Sequence, residues 1–154
     1  MTDILESLNE IIKTIENGIK EGTVPEGSRM YLQRLMRSIQ DTIKVIEIVK
    51  QEKTIQSPIS PSARSAMYNL RKAFYAVLLR LSKEKGVDKE KSISEWKNAA
   101  GKLVEFLNAS GISEAPTKIV LFYNIIEEDG LKYLKFEKAE VLYFELEGVK
   151  ELKL

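Results

Sequence analysis

Apolar residues recur every three or four positions through residues 2–21, where Ile4, Leu8, Ile11, Ile15 and Ile19 share a stripe. At about 100° per residue this spacing predicts an amphipathic helix. Thr2 or Asp3 can cap it, and Glu6 stands where a capping box places its acid. Gly22, Pro25 and Gly27 break the pattern. A second, longer helix opens at Ser28, with Leu32, Leu35, Met36, Ile39, Ile43, Ile46 and Val49 as its stripe. Pro58 and Pro61 make a rigid turn of residues 57–62, and Ser62 is the natural N-cap of a third helix. In that helix Ala63, Met67, Leu70, Phe74, Val77, Leu78 and Leu81 fall on one arc, and Lys85-Gly86 ends it. Ser92 with Glu95 reads as a capping box for a fourth helix, whose Ile93, Trp96, Ala100, Leu103 and Leu107 point inward.

After Pro116 the period changes. Two β-rich runs flank Glu128-Asp129-Gly130, and Asp-Gly between such runs predicts a hairpin. Residues 138–147 then alternate Ala139, Val141 and Tyr143 against Leu142, Phe144 and Leu146, which predicts a third strand. The plan is α+β, a mainly helical domain with a small C-terminal antiparallel sheet. The break at 22–27 divides it into residues 1–27, a helix and linker suited to tethering or partner docking, and residues 28–154, the main domain.

Composition narrows the chemistry. The 154 residues include no cysteine and no histidine, which removes disulfides, thiolate metal sites and imidazole or thiol catalysis. No apolar run reaches the roughly 18 residues of a membrane span, and Asp3 and Glu6 stand where a signal peptide would be basic. A cytoplasmic chain with no membrane partner is therefore expected. The net charge of +1 hides a segregation. Residues 1–27 carry two basic and six acidic side chains, residues 28–80 ten and three, and residues 81–154 twelve and fourteen. All six arginines lie in the middle segment, a distribution that points to an anion contact.

The third helix carries the candidate chemistry. Arg64, Tyr68, Arg71 and Tyr75 stand at offsets 0, 4, 7 and 11, a strip roughly 60° wide. Arginine forks interleaved with phenol rings suit a phosphate joined to a stackable base. A solvated basic flank whose tyrosines close the core edge has the same pattern. Glu127, Glu128 and Asp129 cluster at the hairpin turn, a place where acids usually serve solubility, and Lys72 has nothing to orient it as a nucleophile. No glycine-rich phosphate loop is present. An enzyme acting alone is not expected.

Three stretches between residues 60 and 130 carry a likeness: MYNLRKAFYAVLLR, SISEWK with Trp96, and YNIIEEDG. Their order resembles the C-terminal domain of the large subunit of archaeal and eukaryotic-type primases. It is more closely similar to the PriX family, the small non-catalytic third primase subunits of Sulfolobus-like archaea. In the strand Tyr123 and Ile125 match the family pattern, while Glu127 replaces its histidine. The large-subunit domain holds an iron–sulfur cluster on four cysteines, which this chain cannot do. The resemblance implies a non-catalytic primase subunit in RNA primer synthesis for DNA replication, with catalytic and large primase subunits as partners. It implies a Mg-bound initiating nucleoside triphosphate and single-stranded DNA template or RNA primer as ligands, and no resident cofactor. Matching Tyr75 to the family tyrosine carries the phosphate-binding positions onto Tyr68, Asn69 and Lys72; a shift by one brings Arg71 there instead. With Arg64 from the helical strip, the implied nucleotide-binding set is Arg64, Tyr68, Asn69, Arg71 and Lys72, with Tyr75 as a further stacking ring.

Overall fold

The computed structural model describes residues 2–154; Met1 and the side chains of Thr2 and Val49 lie outside the described residues, so the Thr2 cap and the last position of the second stripe do too. The chain forms two compact units, residues 1–52 and 53–154. The boundary therefore falls after Glu52 rather than after Gly27.

The first unit is a helical hairpin of α1 (Thr2–Lys20) and α2 (Glu26–Lys50). The predicted break is the turn of this hairpin over residues 21–25, with Gly27 already inside α2: Thr23 donates its N–H to the Gly18 carbonyl, and Gly22 takes the left-handed conformation at φ 70°. The α1 stripe is rotated from the expected one. Ile12 and Ile15 are buried and Leu5, Leu8 and Ile19 half-buried, whereas Ile4 and Ile11 are exposed. The second helix starts at Glu26, two residues before Ser28, because Pro25 at the N-cap position already holds φ at −55°.

The second unit is built on a three-stranded antiparallel sheet in the order β1 (Thr54–Gln56), β2 (Thr117–Glu128) and β3 (Leu131–Tyr143). The predicted hairpin is present, with Asp129 and Gly130 at φ 53° and 74° as its two-residue turn. Positive φ at both central residues matches the right-handed twist of the strands, which is why Asp-Gly suits the position. The expected third strand at 138–147 is not separate. Residues up to Tyr143 continue β3 past a bulge in which Glu137 is the extra residue, and the rest has no regular structure. The third strand is instead β1, which pairs Ile55 with Leu121.

Two helices, α3 (Ala63–Lys85) and α4 (Lys89–Ala109), supply the rest of the core. Phe74 is fully buried and stacks on Trp96 with centroids 4.7 Å apart, and Phe136 meets both rings edge-on. Leu70, Leu78, Leu103, Ile119, Leu121 and Leu134 close around them. Burial of this kind, at roughly 25 cal/mol per Å² of apolar surface, is the main force holding the unit together. Capping differs between the two helices. Ser62 caps α3 as expected, in a reciprocal box with Ser65, and Gly86 ends it in the left-handed conformation. The cap of α4 is Asp88, whose carboxylate accepts the Lys91 N–H at 2.7 Å. Ser92, expected as that cap, is one turn inside the helix and fully buried. Its hydroxyl donates to the Asp88 carbonyl at 2.6 Å and accepts the Leu134 N–H of β3 at 3.1 Å.

Candidate functional site

The Ser62 box and the buried arc from Ala63 to Leu81 fix the rotation of α3, and with it the strip on its outer flank. The backbone of a regular helix then brings residues four apart together, and two such couples form. The Lys72 ammonium sits 4.4 Å from the ring centroid of Tyr68, and the Arg71 guanidinium 5.8 Å from that of Tyr75. Both distances lie within cation–π range. Tyr68 is 60% exposed, so its second face is open to a stacking partner, while Tyr75 is 40% exposed and leans edge-on against Phe74. Tyr75 is thus both the end of the strip and a wall of the core.

Arg64 stands apart from the two couples. It meets the Glu114 carboxylate at 3.5 Å with both side chains more than four-fifths exposed, and a pair so exposed contributes about 0–1 kcal/mol. It is the strip residue that borders a concavity, about 250 Å³ between α3 and α4, floored by Met67, Val104 and Leu107. Asn69 is elsewhere. It is half-buried, and its amide donates to the Ser60 hydroxyl at 3.0 Å, tying α3 to the proline turn before it. Of the six residues named from the sequence, four pair on one exposed surface, Arg64 extends it toward Glu114, and Asn69 is engaged by the fold.

The remaining arginines divide between the units. Arg29, Arg34 and Arg37 lie on α2 in the first, exposed; Arg80 lies on α3 in the second. Burial pushes the Tyr123 phenol above its ordinary range while the Arg80 guanidinium beside it pulls the other way, so Arg80 serves the sheet rather than the strip. At the hairpin, the Glu128 carboxylate accepts the Tyr133 hydroxyl at 2.8 Å. Among the described residues no three acidic side chains converge as a metal site would require, and no helix is long and apolar enough to cross a membrane.

The sequence reading did not find Glu114 as the counter-charge of Arg64, because the two are brought together only when the loop after α4 returns to the start of α3. Ala63 marks that return, donating its N–H to the Ser113 carbonyl. No protein-family model matches the chain, and no curated protein or solved structure matches it.

Proposed function

We propose that the outer flank of α3 grips the triphosphate end of a nucleic acid, or the Mg-bound nucleoside triphosphate that starts one. On this reading the protein is a non-catalytic subunit of a DNA primase complex. It would present the initiating nucleotide and template to a separate catalytic subunit. The observation that supports this is the pair of cation–ring couples, Lys72 with Tyr68 and Arg71 with Tyr75, side by side on an exposed surface. Two cations so placed can hold successive phosphates, the arginine bidentately. An open phenol face beside them accepts a base, worth about 1–3 kcal/mol per stacked base. The strip lies on an open surface, as a chain end entering from solvent requires, and the metal-binding carboxylates of the chemistry would belong to the partner.

The test compares short labelled oligonucleotides bearing a 5′-triphosphate or a 5′-hydroxyl, each at two salt concentrations. A triphosphate preference that persists at the higher salt is expected. Arg71→Ala should weaken triphosphate binding about ten- to a hundredfold, the value of a hydrogen bond to a charged group, with an unchanged circular dichroism spectrum because the side chain is exposed. Equal binding of both ends, falling steeply with salt, would replace this reading with that of a general nucleic-acid-binding module.

A further inference from the structure

Among the described residues β3 is an outer strand of the sheet. Thr117 exchanges both backbone hydrogen bonds with Ser60, and the Ile119 carbonyl accepts the Ser57 N–H. These β2 residues therefore turn their amide groups toward β1. Their opposite numbers on β3, Tyr143 and Val141, stand in non-hydrogen-bonded pairs and turn their own N–H and C=O groups outward. Ala139, opposite Leu121, follows by the same period. Farther along the strand the edge is already used: the Lys132 carbonyl accepts the Asp88 N–H at 2.7 Å, and the Leu134 N–H goes to Ser92. The open stretch is residues 139–143, and no other strand pairs with it among the described residues.

Beside this stretch lies α4, which packs on β3. A groove of about 280 Å³ runs between them, lined by Asn98, Lys102, Phe106, Phe136, Ala139 and Val141. Phe106 is 55% exposed at its mouth. A strand laid along β3 would complete the ladder and cover that ring.

The segment that would supply such a strand follows β3 directly. Residues 144–154 have no regular structure, and Leu146, Val149, Leu152 and Leu154 are each more than four-fifths exposed. Four aliphatic side chains this exposed within eleven residues, interleaved with charged ones, are available for burial against a partner. It does not turn back onto its own edge. The Phe144 N–H donates to the Pro116 carbonyl at 2.9 Å, which carries the chain past the end of the sheet, and no residue from 144 to 154 has the positive φ of a tight hairpin turn.

We propose that two copies of the protein exchange these segments, residues 144–154 of each adding as an antiparallel strand to the 139–143 edge of the other. The contact is isologous, one surface serving both sides. In the register that sets Leu152 beside Val141 and Leu154 beside Ala139, both leucines enter the groove against Phe106. The same register sets Lys153 beside Glu140, whose carboxylate Lys138 already meets at 3.3 Å, and no two like charges of the segment face each other.

The experiment uses the full chain. Sedimentation across a wide concentration range should show a monomer–dimer equilibrium, and Leu152→Glu should weaken it at least tenfold with an unchanged circular dichroism spectrum. The protein has no cysteine of its own, so a mixture of Val141→Cys and Leu152→Cys proteins, distinguished by mass, should oxidise to a mixed covalent dimer; paired strand positions lie within disulfide reach. A monomer at every concentration overturns the proposal, as does a dimer indifferent to Leu152→Glu. A Val141→Cys, Leu152→Cys double variant that links only within one chain overturns it as well.

Discussion

Ser92 and Tyr133 show how far a residue's identity carries its role. Both are recognisable in the sequence as polar groups, yet Ser92 takes one partner from β3 and Tyr133 takes its partner across the hairpin turn. Ser92 has the spacing to Glu95 of a capping box, and that spacing is local. Its use across to Leu134 depends on where β3 lies, so the sequence could not reveal it. Asn69 is similar, since its engagement by Ser60 depends on the bend of the proline turn. Tyr133 lends itself to a direct test. Its ring is buried with Lys91 5.2 Å from the centroid, and its hydroxyl donates to Glu128. That hydrogen bond to the carboxylate, helped by burial, pushes the phenol from 10.0 up to about 12. A raised pKa favours the protonated form in the folded state. The associated stability is fully present below about pH 10 and is lost as pH rises toward 12. An absorbance titration of the folded protein should show Tyr123 and Tyr133 ionising later than an unperturbed phenol near pH 10, with the step near 12 belonging to Tyr133. In Tyr133→Phe that late step should vanish, and the fall in stability between pH 10 and 12 should become shallower than in the parent.

Elements were legible in proportion to their length and their punctuation. The third helix has a six-residue buried arc, a serine at its start and a glycine at its end, and each does in the structure what its chemistry suggests. The β2–β3 turn is equally plain, because only a few dipeptides tolerate two positive φ angles in succession. By contrast β1 is three residues long and is preceded by Lys53 at φ 57°, too short to display a period. The first helix is ambiguous for a different reason. It holds adjacent apolar pairs, Ile4-Leu5 and Ile11-Ile12, so two overlapping stripes satisfy the same helical spacing. Packing in the helical hairpin selects the one through Ile12 and Ile15. Thermal unfolding should therefore separate neighbours. Ile12→Ala removes a nearly buried side chain and should cost about 2–4 kcal/mol. Ile11→Ala, at a site 44% exposed, should stay within about 0.5 kcal/mol, as surface substitutions do. Equal losses at both positions would mean that the hairpin buries the stripe the sequence suggested.

At the scale of the whole molecule, charge and core are divided along the chain. Residues 1–52 carry seven basic and nine acidic side chains, residues 53–154 seventeen and fourteen. The difference is too small to steer a polyanion by net charge alone. Recognition would therefore rest on local groups, which is the condition the α3 strip meets. Every member of the main hydrophobic cluster, from Ile55 to Leu134, lies within residues 53–154, and so does every residue of the strip. The second unit thus holds a core, both helix caps and the candidate site within residues 53–154. A protein of residues 53–154 should consequently unfold cooperatively by itself. It should bind a 5′-triphosphate oligonucleotide within about threefold of the full chain, a difference of roughly 0.6 kcal/mol on the affinity scale. Cooperative unfolding together with a loss of binding well beyond that would assign Arg29, Arg34 and Arg37 of α2 a share in the anion contact. Failure to fold would show that the core of the second unit is insufficient without the first. The retained affinity would instead confine the site to α3 and leave residues 1–52 available for a partner subunit.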